Sequence, residues 1–154
     1  MQNEQRISWD EYWMTFAHVS SLRGTCNRKK VGAVIVKNNF IISTGYNGAV
    51  SGDSHCDEIG HDLQVLENKK ENCIRSVHAE ENAILQAAKR GVGIEGSVIY
   101  TNTFPCWLCA RKIISTGIFR VVYDDSYNND PKVIEAFQRQ GILIEKLTYT
   151  RMKF

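Results

Sequence analysis

Residues 97–147 read SVIYTNTFPCWLCARKIISTGIFRVVYDDSYNNDPKVIEAFQRQGILIEKL. Three β-rich runs, 97–102, 119–123 and 142–147, alternate with two helical stretches, 106–116 and 131–140. Each helix is closed by a glycine, Gly117 and Gly141, the residue best able to take the left-handed cap. Strands that alternate with helices in this way form a largely parallel sheet covered by those helices.

Upstream, VGAVIVK (31–37) and FIISTGY (40–46) are separated only by Asn38 and Asn39. Asparagine tolerates positive φ, so the pair predicts a tight hairpin. Residues 78–90 read as a helix ended by Gly91. Residues 8–22 read as another, with Ser8 as N-cap. In that first helix Trp9, Tyr12, Trp13, Phe16 and Val19 or Ser20 follow helical spacing, which assigns the row to core packing, and His18 to a packing or surface position. The order is helix, two strands, helix, strand, helix, strand, helix, strand. It predicts an α/β fold: a three-layer α/β/α sandwich around a five-stranded mixed sheet, with the hairpin as its one antiparallel pair. The polar stretch from Asn47 to Val77 does not fit the alternation. So long a segment is expected to be functional, metal-pinned or partly helical, with a short helical piece over 60–70.

The 154 residues are sized for a single domain, 1–154, with a core that needs no disulfide staples. A net charge of +2 lacks the concentrated basic face of a nucleic-acid binder, so no nucleic-acid partner is expected. There is no apolar run of membrane-spanning length, so no membrane partner is expected. Met1–Asp10 has no apolar signal core. The expected compartment is cytoplasmic, where five cysteines read as metal ligands or buried thiols rather than bridges.

Two motifs open predicted helices: His78-Ala79-Glu80 and Pro105-Cys106-Trp107-Leu108-Cys109. Zinc favours imidazole and thiolate in a tetrahedron, and one His with two Cys leaves the fourth position to water, as in catalytic sites. Cys106 and Cys109 lie one helical turn apart, and the amide groups at a helix N-terminus stabilise thiolates. Glu80, two residues from His78, is placed to move protons without binding the metal. It would take a proton from water, deliver it to N3 of a pyrimidine, and help ammonia leave C4. An H-x-E followed by P-C-x-x-C is the signature of zinc deaminases.

The motifs SWDEYWM, TCNRKKVGAVIV, ISTGYNG, HCDEIGH, CIRSVHAEENAIL and FPCWLCA occur in this order over residues 8–147. The chain thereby resembles the deoxycytidylate (dCMP) deaminase family of the cytidine deaminase superfamily. The resemblance implies a cytidine deaminase-like fold and zinc-dependent hydrolysis of dCMP to dUMP and ammonia, supplying dUMP for thymidylate synthesis. It implies zinc on His78, Cys106 and Cys109 and proton transfer by Glu80. Asn47 would bond the sugar, Ala79 and the Thr103–Pro105 turn would read the base edge, and Arg28 or Lys29 would meet phosphate. Some relatives hold a second, structural zinc, for which Cys26, Cys56, His61 and Cys73 are the candidates, with His61 preferred over His55. The family is usually oligomeric, often hexameric, so a homo-oligomer, hexamer or dimer, is expected. Deoxycytidine triphosphate (dCTP) and thymidine triphosphate (dTTP) act as effectors in many members. In those members a proline follows the glycine loop, where this chain has Val50. The alternatives are a dCTP or bifunctional dCMP/dCTP deaminase, a polynucleotide (tRNA or single-stranded DNA) deaminase, and a non-catalytic zinc protein, against which the retained Glu80 argues.

Overall fold

The computed structural model describes residues 6–65, 71–125 and 129–148. The five main strands are β1 (Gly32–Lys37), β2 (Phe40–Tyr46), β7 (Val98–Thr101), β8 (Arg120–Tyr123) and β9 (Leu143–Lys146). The four main helices are α1 (Trp9–Ser21), α3 (Ala79–Lys89), α4 (Trp107–Ser115) and α5 (Pro131–Arg139). Between β2 and α3 lie β3 (Gly48–Ala49), α2 (Cys56–Ile59), β4 (Leu63–Val65), β5 (Glu71–Cys73) and β6 (Ser76–Val77). The main sheet runs β2-β1-β7-β8-β9. The hairpin turn sits where the sequence puts it, with Asn38 and Asn39 at φ 51° and 58°. Gly91, Gly117 and Gly141 all take positive φ beyond their helices.

The sheet has two antiparallel pairs rather than the one expected. β1 pairs antiparallel with β2 and also with β7, whereas β7–β8 and β8–β9 are parallel. The cause is the crossover through α3. It joins β2 to β7, which point the same way, but leaves one strand position between them, and β1 fills it. From there the strands advance in one direction. Right-handed crossovers then put α3, α4 and α5 on a single face. Ala83, Ile113 and Phe137 from those helices pack with Ala33, Ile35, Ile99 and Val121. The alternate strand residues Val34, Val36, Tyr100 and Val122 point the other way and pack with Trp13, Met14 and Ala17 of α1.

A capping box opens α1: Ser8 Oγ accepts from Glu11 N–H, and Glu11 accepts from Ser8 N–H. Asp10 fixes the helix to the sheet by accepting from Arg120 Nη1 and Nη2 at 2.8 and 2.7 Å and from Tyr100 OH at 2.7 Å. The Arg120 bonds hold its carboxyl below the usual range despite burial. His18 pairs with Asp124 at the end of β8, a specific partner that its sequence position did not reveal. The core assignment of the aromatic row is corrected. Trp13 is buried, but Trp9 is 61% exposed, and Tyr12, Phe16 and Val19 also face outward. The helix meets the sheet through Trp13, Met14, Ala17 and Ser21, and Gly32 of β1 lets the two backbones approach closely at Ala17 and Ser21. A Cβ at Gly32 would fall 2.0 Å from Ala17 O.

The expected helical piece over 60–70 is corrected for its described part, 60–65. The short helix is α2, one turn earlier. It stops at Gly60, where φ is 86°. Residues 63–65 are extended because their backbone pairs with 71–73. Residues 66–70 lie outside the described residues.

Candidate metal-centred active site

β2 and α3 pack so closely that their contact sets the position of the HAE motif. A Cβ at Gly45 would fall 2.2 Å from Ala79 O and 2.4 Å from Ala83 N. Ser43 Oγ donates to Ala83 O at 2.5 Å, and Asn82 Nδ2 donates to Tyr46 O at 2.8 Å. Gly45→Ala is therefore expected to push α3 off the sheet. The overpacking should cost about 3 kcal/mol. A shift of His78 and Glu80 by about 1 Å should lower turnover on the order of 100-fold. Chemical denaturation and kcat would be compared with Gly93→Ala, where nothing lies within 4 Å of the added Cβ. Equal behaviour of the two variants would contradict this account of the packing.

His78 is the N-cap residue of α3 and Cys106 that of α4. The two helix starts bring His78 Nδ1 to 3.3 Å from Cys106 Sγ and 3.5 Å from Cys109 Sγ. Metal–sulfur and metal–nitrogen bonds of zinc length, arranged as a tetrahedron, put N and S about 3.6 Å apart. The donor set and its spacing therefore fit zinc. The Cys106 thiol is pulled down to about 4, by the Cys109 hydrogen bond first and by His78 as well. Cys109, sharing that bond and buried, is pushed up. His78 is raised to about 9, chiefly by its bond to Cys106. Glu80 is 3% exposed and lies 3.7 Å from Cys109 Sγ. Burial, and then the charge of Cys106, push its carboxyl up.

A cleft of about 740 Å³ opens onto these groups. Ala79, Thr103, Asn47 and Arg28 line it, while Pro105 lies buried behind the wall. Asn47 is itself stapled to the loop before β1: its Oδ1 accepts from Val31 N–H at 2.8 Å, and its Nδ2 donates to Lys29 O at 2.7 Å. Lys29 Nζ donates to Asp125 Oδ2 and Thr103 Oγ1 at 2.9 and 3.0 Å, so it braces the wall. Arg28 is exposed at the same cleft. Three further residues build the site, of which the sequence reading had placed only Phe104, within the Thr103–Pro105 turn. Asn102 holds the loop from its other side through Gly32 N–H and Lys30 O. Phe104 lines the cleft and stacks edge-on against Tyr123. Trp107, also in the wall, carries Lys132 Nζ 4.3 Å from its ring centroid. For Asn102 and Trp107 only a place beside or within the PCxxC motif could have served as a signal.

A second group of donors gathers Cys56, His61 and Cys73. The Cys56 and Cys73 sulfurs are 3.7 Å apart, far beyond a disulfide and close to the roughly 3.8 Å edge of a zinc–thiolate tetrahedron. Cys26, expected with them, is not in that group. It is buried and lines the cleft. Burial and then the Cys73 neighbour push the Cys56 thiol up to about 11.

An open His/Cys/Cys donor set with a buried carboxyl beside it, at the N-termini of two helices over one end of the sheet, defines a zinc-dependent hydrolytic enzyme. Residues 7–124 match the family model described as the cytidine and deoxycytidylate deaminase zinc-binding region, and the chain belongs to that family. Its cofactor is zinc. The chain is 40% identical to ComE operon protein 2 of Bacillus subtilis over 148 residues, which is 96% of this chain and 76% of the relative. It is 36% identical to the deoxycytidylate deaminase of Schizosaccharomyces pombe, covering 94% of this chain but only 45% of that protein's length. The crystal structure of dCMP deaminase from the cyanophage S-TIM5 in complex with dCMP and dUMP superposes with a TM-score of 0.77 at 31% identity. That match covers 94% of this chain and 100% of the phage chain. No helix among the described residues is long and apolar enough to cross a membrane.

Proposed function

We propose that the chain, acting as one deaminase domain, hydrolyses dCMP to dUMP and ammonia in the cytosol. The observation that carries this reading is the buried Glu80 carboxyl beside the His78, Cys106 and Cys109 donors at the floor of the cleft. When bound, zinc supplies Lewis acidity that makes water a nucleophile near neutral pH. Glu80 accepts a proton from that water, passes it to N3 of cytosine, and assists departure of the C4 amine as ammonia. The water oxygen becomes the uracil carbonyl, so atoms balance. Asn47, with its loop bonds in place, turns its remaining capacity toward the sugar. The Ala79 backbone and the Thr103–Pro105 turn face the base edge, and Arg28 takes the phosphate. The experiment is a deamination assay on dCMP beside dCTP, deoxycytidine and tRNA, with a metal-stripped control. Metal-dependent dUMP release is expected. Activity confined to another substrate would overturn the assignment.

Cys56, His61 and Cys73 are read as three of the ligands of a second, structural zinc that pins the segment before α3. A single zinc per chain in fully loaded protein would defeat that reading. Effector control by dCTP and dTTP through the Gly45–Gly48 loop would make dCMP kinetics sigmoidal and dCTP-sensitive, whereas hyperbolic, insensitive kinetics would exclude it.

Self-association is assigned to the outer row of α1. Trp9, Tyr12, Phe16 and Val19 form one uncharged strip, continued by Leu22, which is also exposed. Exposed apolar rows of this extent mark contact surfaces. Light scattering should give an oligomeric mass that Phe16→Glu reduces. A monomeric parent protein, or an unchanged mass in the variant, would remove this surface from consideration.

A further inference from the structure

We propose that Asn27 couples the second donor cluster to the substrate cleft. It fixes the tautomer of His61, and it shares the loop that carries Arg28. The inference rests on the readings of that cluster as a zinc site and of the cleft as a nucleotide site.

The argument begins with the imidazole. His61 Nε2 lies 2.7 Å from Asn27 Oδ1. An amide oxygen only accepts, so Nε2 must carry the proton and donate it. Nδ1 then holds the lone pair. That atom is buried, has no hydrogen-bond partner, and belongs to the group that faces Cys56 and Cys73. An orphaned buried nitrogen beside two thiols, with the opposite ring nitrogen locked by an amide, is the arrangement of a metal-binding histidine with an orienting partner.

The coupling follows from where Asn27 sits. It stands between Cys26 and Arg28, both of which line the cleft. Asn47 fastens the loop at Thr25, Lys29 and Val31, and Asn102 fastens it at Lys30 and Gly32. The Asn27–His61 bond joins this loop to the segment carrying the thiols. An ion on Cys56, His61 and Cys73 therefore fixes His61, His61 fixes Asn27, and the loop presents Arg28 toward the nucleotide phosphate. Asn27 is a positioning residue: it touches neither substrate nor metal.

The test uses the full-length, zinc-loaded protein. Bound zinc is counted by mass spectrometry during a chelator titration, for the parent chain, Asn27→Leu, Asn27→Asp and Cys73→Ser. The parent should hold two ions and Cys73→Ser one. Asn27→Leu, which removes the acceptor, should bind its second ion about 10- to 100-fold more weakly. Asn27→Asp, which keeps an acceptor, should retain it. In Asn27→Leu stripped of its second ion, KM for dCMP should rise while kcat holds. An Asn27→Leu variant that keeps both ions as tightly as the parent would overturn the tautomer role. Loss of the ion with KM unchanged would overturn the coupling. One ion in the parent itself would instead defeat the second-site reading on which the inference rests.

Discussion

Glu80→Gln should lower kcat on dCMP by about 10⁴-fold while zinc content and nucleotide affinity stay near those of the parent. The two side chains have the same shape, so the buried site should not collapse. The amide lacks the basic oxygen that accepts a proton and the acid that returns it. The expected loss corresponds to about 5 kcal/mol of barrier. Burial and the Cys106 charge both favour the protonated state of Glu80. Mass spectrometry for zinc, calorimetry for a substrate analogue, and single-turnover rates together separate chemistry from binding. A variant that turns over within tenfold of the parent would remove Glu80 from the proton path. A variant that has lost its zinc would show that Glu80 holds the metal site together instead.

The sequence carried most of this site because its chemistry is local. His78 and Glu80 share one helix start, as do Cys106 and Cys109, and each motif announces its residues by type and spacing. The sheet was legible for a similar reason: glycines end the helices, and an Asn-Asn pair marks the hairpin. What could not be read was long-range. The second antiparallel pair arises because β1 fills the strand position left by the α3 crossover, and no stretch of β1 records its neighbour. Periodicity in α1 showed an apolar row but not which face the sheet would take. The sheet took the face that Gly32 lets approach, with Trp13 inside it, and Trp9, Tyr12 and Phe16 were left outside. The bracing of Lys29 by Asp125 and the stapling of its loop by Asn47 and Asn102 span 96, 18 and 72 residues or fewer. Such contacts depend on the assembled fold. The segment from Asn47 to Val77 stood out in the sequence only by its length and lack of periodicity. Its two small pairings and one-turn helix are too short to show a period.

Cys106→Ala should purify with one zinc fewer per chain, no measurable deamination, and a melting temperature roughly 10 °C below the parent. With Cys106 gone, His78 and Cys109 remain, and two ligands hold zinc poorly, so most of the binding energy that stabilises the folded chain is lost. An ion present at about 1,000 times its dissociation constant contributes about 4 kcal/mol. For a domain of this size each kcal/mol moves the melting point by roughly 2–4 °C. The loss also has an electrostatic part. Cys106 is the thiolate partner that raises His78, and Cys109 is buried beside Glu80, a place where an unpaired thiol is inert. The control is to strip both proteins of metal completely. Deleting one half-exposed sulfur removes little packing, so the two metal-free chains should melt within a few degrees of each other. If instead the variant remains far less stable without metal, Cys106 acts through packing. If it keeps full zinc and full activity, the ligand assignment is wrong.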